Sequence, residues 1–161
     1  MGQGLLVTRP RRGTFVSDSL SESMEVTYRI RGKLEALCVW YLRQRMTEKD
    51  QVALESRLKK LHKASRTRNP DAFLEADMEF HRLIWNLSGQ PQLEQTLRRL
   101  MNPFIITEAR ASVARTDLGS LYNLHEDYYR LIMSAPLSQI ETQVEKHFLS
   151  DYKSELESSP P

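Results

Sequence analysis

From about residue 22 onward the apolar side chains of this chain return every three or four positions and hold that rhythm almost to the end. Leu34, Leu37, Cys38, Tyr41 and Leu42 form one stripe, Leu54, Leu58 and Leu61 a second, and Phe73, Phe80, Ile84 and Leu87 a third. Leu93, Leu97, Leu100, Met101, Phe104 and Ile105 keep the same step, as do Leu121, Leu124, His125, Tyr128 and Ile132. Leu137, Ile140, Val144, His147 and Phe148 make the last stripe. A period of 3.6 places each set on one side of a helix, where it must find a core.

Punctuation separates the stripes. The first helix runs roughly from Glu22 to Arg45, and Thr47-Glu48-Lys49-Asp50 reads as the capped start of the second. Asn69-Pro70-Asp71 opens the third, and Ser88-Gly89-Gln90-Pro91 closes it. The apolar pattern continues past Pro103, so that proline is expected to kink the fourth helix, which starts near Gln92. Asp117-Leu118-Gly119-Ser120 leads into a fifth, and Ala135-Pro136 separates it from a sixth. Amphipathic helices joined by short connections predict an all-α antiparallel bundle of about six helices.

Residues 1–17 are different in kind. Leu5-Leu6-Val7-Thr8 and Thr14-Phe15-Val16 flank a Pro- and Gly-containing turn, which spells a β-hairpin. Two strands are not stable alone, so the hairpin should belong to something larger. Arg9, Arg11 and Arg12 crowd its tip, either as a solvated basic turn or as a reach toward a DNA backbone or minor groove. The expected organisation is hairpin over 1–17, polar linker over 18–22, bundle over 23–157 and a disordered tail over 158–161.

Composition narrows the class. A net charge of +2 over 161 residues does not argue for nucleic acid by itself. The single Cys38 excludes an internal disulfide framework and, inside its stripe, reads as buried and inert. No run approaches the ~18 apolar residues of a membrane span, and no signal pattern opens the chain, so a cytoplasmic protein is expected. There is no Gly-rich phosphate loop, no CxxC and no HExxH.

The chemistry gathers on the helices. Asp77 and His81 stand four apart on an apolar face, so carboxylate and imidazole can converge on one point. An ionised carboxylate there needs a partner. His125 and His147 fall in the apolar stripes of two further helices, whereas His62 sits among Lys59, Lys60 and Lys63 and reads as solvent-facing. Turned inward together, Asp77, His81, His125 and His147 make a three-imidazole, one-carboxylate site for a divalent metal. Zinc or nickel heads the candidates, with manganese, cobalt or iron compatible. A buried polar network without metal accounts for the same spacing.

These features meet in a known family. Gly4-Leu5-Leu6-Val7 through Arg11-Arg12-Gly13-Thr14-Phe15-Val16 resembles the wing that ends the winged-helix DNA-binding domain of GntR-superfamily transcriptional regulators. Arg31-Gly32-Lys33-Leu34-Glu35 is similar to the "R..LE" opening the FCD effector domain of the FadR-type branch. Asp77-Met78-Glu79-Phe80-His81 matches its "D..FH", while His125 and His147-Phe148 fall at its later histidines. Leu124 replaces the usual acid before the second histidine, and Gln90 stands where an asparagine is common. A count of six helices favours the shorter, VanR-like form, and the helix-turn-helix would precede Met1.

The resemblance implies the effector-binding and dimerisation part of a repressor or activator. A small hydroxy- or keto-acid would meet the metal, Arg31 would clamp its far end, and a homodimer would carry two DNA-binding domains. On these 161 residues alone, only weak, non-specific DNA binding is expected, because phosphate contacts position without specifying sequence. Taken by itself, Arg31 also reads as a surface charge on the first helix. A metal-dependent enzyme using an activated water at the same four residues is the alternative.

Overall fold

A computed structural model describes the backbone of residues 6–9, 13–16 and 19–157, and the side chains of residues 24–149 other than 104. β1 (Leu6–Arg9) pairs antiparallel with β2 (Gly13–Val16), Leu6 opposite Val16 and Arg9 opposite Gly13. The hairpin is therefore present. Arg11 and Arg12 lie outside the described residues, as do the Arg9 side chain and the tail at 158–161.

Seven helices follow: α1 (Ser19–Arg45), α2 (Glu48–Ser65), α3 (Pro70–Leu87), α4 (Pro91–Leu100), α5 (Pro103–Val113), α6 (Leu118–Ser134) and α7 (Ile140–Glu157). Their starts are set by short polar side chains. Thr47 and Asp50 form a reciprocal capping box, with the Thr47 N–H donating to Asp50 Oδ2 at 2.9 Å. Asn69 Oδ1 accepts from the Asp71 and Ala72 N–H groups at 3.1 Å each, and Pro70 occupies the first turn, where it needs no donor. Asp117 Oδ2 accepts from the Ser120 N–H at 2.8 Å.

One boundary corrects the sequence reading. Pro103 does not kink a long fourth helix; it begins a new one. Met101 leaves helical geometry at ψ 55°, and the Asn102 side chain accepts from the Ile105 N–H at 3.2 Å. Asn102-Pro103 thus repeats the device of Asn69-Pro70. The bundle has seven helices among the described residues, not six, which removes the count that favoured the shorter form. Two register details also differ. Leu37 is 36% exposed and Leu137 44% exposed, the latter because α7 starts only at Ile140.

The bundle closes around α3, whose Phe73, Phe80, Ile84 and Trp85 are buried. α1 packs along α7, and α3 touches α1, α2, α4 and α5. The close approach of α1 to α7 requires Gly32: a Cβ there would lie 3.2 Å from Phe148 Cβ and 3.6 Å from Glu145 Cα. Arg43 in α1 donates from Nη1 to the carbonyls of Ile132 (2.7 Å) and Ala135 (3.0 Å), satisfying the open end of α6. Cys38 is fully buried, as expected.

A candidate metal and anion site inside the bundle

α3 and α6 face each other with their polar interruptions in register. Asp77, His81 and His125 each present a ligand atom, and these three atoms lie within 4.8 Å of one another. His81 Nε2 is 3.4 Å from Asp77 Oδ1, and His125 Nε2 is in close contact with the same oxygen. Helical spacing makes the first approach, and the reach of the His125 side chain from α6 to α3 makes the second.

What lies behind each imidazole matters as much. His125 Nδ1 is 2.8 Å from the Leu121 carbonyl one turn earlier, a contact in which Nδ1 carries the proton. His81 Nδ1 lies 3.2 Å from Glu35 Oε1 in α1, at hydrogen-bond distance though off the N–H direction. Both rings are thereby engaged from behind and turn Nε2 toward Asp77. That is how neutral imidazoles are oriented to hold a metal.

The electrostatics follow from burial and pairing. Burial pushes the Asp77 carboxyl up, but the His125 and His81 imidazoles outweigh it and hold Asp77 well below the usual carboxylate range. Burial works to lower His81, yet Glu35 and Asp77 prevail and raise it to about 9. For His147, burial and then the neighbouring His125 and His81 lower it to about 4.

His147 is the expected ligand that the structure sets apart. It is not in the three-atom group, and its ring stacks on Tyr128, centroids 5.0 Å apart and planes 12° from parallel. It remains close enough to feel both other histidines. His62 is exposed and stacks on Tyr122, as its lysine neighbours suggested.

Arg31 is not a surface charge: it is 7% exposed, with its guanidinium 5.0 Å above the Phe148 ring and Nε 3.4 Å from Glu35 Oε1. It lines a cavity of about 60 Å³ shared with Asp77, His81, His125, Tyr28 and Phe73. Sequence reasoning missed Glu35 and Tyr128. Glu35 is fully buried and accepts from the Tyr128 hydroxyl at 3.2 Å, while Arg31 and His81 crowd its other oxygen. The signal was there: Glu35 lies four residues after Arg31 on one helix face.

The FCD domain model matches residues 26–150, most of the chain. The protein therefore belongs to the FCD domain family of GntR/FadR-type regulators. Among solved structures, E. coli McbR/YncC superposes with a TM-score of 0.65 at 19% identity, covering 94% of this chain and 74% of that one. Streptococcus agalactiae GntR superposes with a TM-score of 0.61 at 18% identity, covering 93% and 75%. No curated protein matches. FCD domains serve transcription regulators that bind DNA and small-molecule effectors and are not enzymes, so the enzyme alternative falls away. No described helix is long and apolar enough to cross a membrane.

Proposed function

We propose that this chain senses a small organic acid at a divalent metal held inside the bundle, as the effector-binding part of a DNA-binding regulator. One observation carries the reading: the Asp77, His81 and His125 ligand atoms and the buried Arg31 face a single cavity. The donor set fits a metal, because both imidazoles direct Nε2 at the Asp77 carboxylate while their Nδ1 edges are engaged elsewhere. Nitrogen and oxygen donors suit zinc and nickel first, and manganese, cobalt or iron next. A cation there supplies positive charge to an incoming carboxylate. Arg31 offers a planar fork for a second one.

His147 is proposed as an outer contributor, weakening metal binding when removed without abolishing it. A homodimer is proposed on α1, where Val26, Ile30 and Leu37 form an exposed apolar line. Sedimentation equilibrium at micromolar concentration tests that part, and a monomer throughout rejects it.

The main reading is tested by elemental analysis and thermal shift. Protein purified without chelator should hold close to one metal per chain, and His81→Ala with His125→Ala should lose it. Hydroxy-, keto- and dicarboxylic acids should then stabilise the loaded wild type, by about 2.7 kcal/mol at a hundred times Kd, and so raise its thermal midpoint. An unloaded wild type that takes up no added zinc or nickel ends the proposal.

A further inference from the structure

Glu35 is the one carboxylate in the described core that belongs to no expected site. It is fully buried, on α1, and contacted by Arg31 of its own helix and by side chains from α3 and α6. Its Oε1 lies 3.2 Å from His81 Nδ1 and 3.4 Å from Arg31 Nε, and its Oε2 accepts from the Tyr128 hydroxyl at 3.2 Å. An ionised carboxylate stripped of water is tolerated only when such partners replace the solvent.

We infer that Glu35 is the positioning residue of the metal site: it holds His81 by the Nδ1 edge so that Nε2 stays directed at Asp77, and by the same oxygen it keeps Arg31 against the cavity wall. The inference rests on the metal reading above and adds to it a residue that touches neither metal nor acid. The geometry is specific in three ways. His81 Nδ1 has no aligned partner elsewhere, and Glu35 Oε1 is the carboxylate oxygen within reach. His125 has its Nδ1 edge fixed by the Leu121 carbonyl of its own helix, whereas His81 relies on a different helix for the same service. And because Arg31 shares that oxygen, the ligand-holding face and the anion-holding face of the cavity depend on one group.

A carboxylate behind a histidine fixes the ring's orientation and raises its donor strength, and losing one costs roughly 10–100-fold in metal affinity. The test compares wild type, Glu35→Gln and Tyr128→Phe by zinc competition against a chelating dye, each checked by circular dichroism for folding. Tyr128→Phe removes another donor to Glu35 while keeping the ring that stacks on His147. Glu35→Gln should weaken zinc by about 10–100-fold and Tyr128→Phe by less than about threefold. Equal weakening in both would assign Glu35 a merely structural role and overturn the proposal, as would zinc binding in Glu35→Gln as tight as in wild type.

A second readout needs no variant. In zinc-loaded wild type, ¹⁵N-labelled histidine spectra should show His81 with a proton on Nδ1 and the metal on Nε2. The reverse arrangement overturns the proposal even if Glu35→Gln fails to fold. Wild type that binds no zinc would reject the metal reading itself, a result separable from tight binding that ignores Glu35.

Discussion

Asp77 Oδ1 stands 3.4 Å from His81 Nε2, one turn apart on a single helix and both largely withdrawn from water. In the metal-free protein this contact has a consequence for stability against pH. His81 is raised to about 9, above its unfolded value of about 6.5, so its contribution is complete below about 6.5 and is lost as pH climbs through 9. His147 is lowered to about 4, so its contribution is present above about 6.5 and is lost as pH falls toward 4. Denaturant midpoints of chelator-treated protein should peak between about pH 6 and 7 and fall on both sides. His81→Gln should flatten the alkaline fall and His147→Gln the acid one. A wild-type midpoint still rising from pH 7 to 9 would show that His81 is not held charged between acids.

Metal loading should reverse the alkaline behaviour. The cation and a proton compete for His81 Nε2, so binding must release protons and strengthen with pH. Between pH 6.5 and 8.5 the apparent zinc affinity should rise by up to about tenfold per unit. Competition titrations in non-coordinating buffers check this, and a pH-independent affinity would place the metal away from His81.

Most of the helices were legible because a 3.6-residue apolar period and a short polar cap are local facts. Asn69-Pro70 and Asp117 announced α3 and α6 correctly. Asn102-Pro103 carried the same signal as Asn69-Pro70, but an uninterrupted apolar pattern across it suggested one kinked helix. Asp77, His81 and His125 were legible because charged or polar residues in an apolar face stand out. Arg31 was reached only through the family resemblance and Glu35 was not singled out, since an i, i+4 ion pair is usually a solvated one, whereas here His81 of α3 and Tyr128 of α6 contact Glu35. Periodicity placed His147 on the inner face of α7, where its ring stacks on Tyr128, outside the three-atom group.

Arg31 should separate acid sensing from metal holding. Arg31→Lys keeps the charge but loses the planar fork and its place over Phe148, so it is not a neutral exchange. Zinc stoichiometry should stay near one, while the thermal shift produced by dicarboxylic acids should shrink by half or more. Shifts unchanged in Arg31→Lys would mean that acids bind through the metal alone.

Arg43 tests whether the site tolerates damage to the frame at its far end. Its Nη1 closes the last turn of α6 by donating to the Ile132 and Ala135 carbonyls, which otherwise end in a part-buried position without a helical partner. A charge-assisted contact of this kind contributes about 1.5–3 kcal/mol, and the cation also suits the negative end of the helix. Arg43→Ala should therefore lower the unfolding free energy by about that much, measured by urea denaturation of metal-free protein. Arg43→Lys should recover only part of it, because one ammonium reaching two carbonyls lacks the fixed spacing of the guanidinium. His125 sits two turns earlier on α6, where the Leu121 carbonyl orients its ring, so zinc stoichiometry should be unchanged in both variants. Loss of zinc in Arg43→Ala at a temperature where the protein remains folded would show that α6 is held at its metal-facing turn by its C-terminal end.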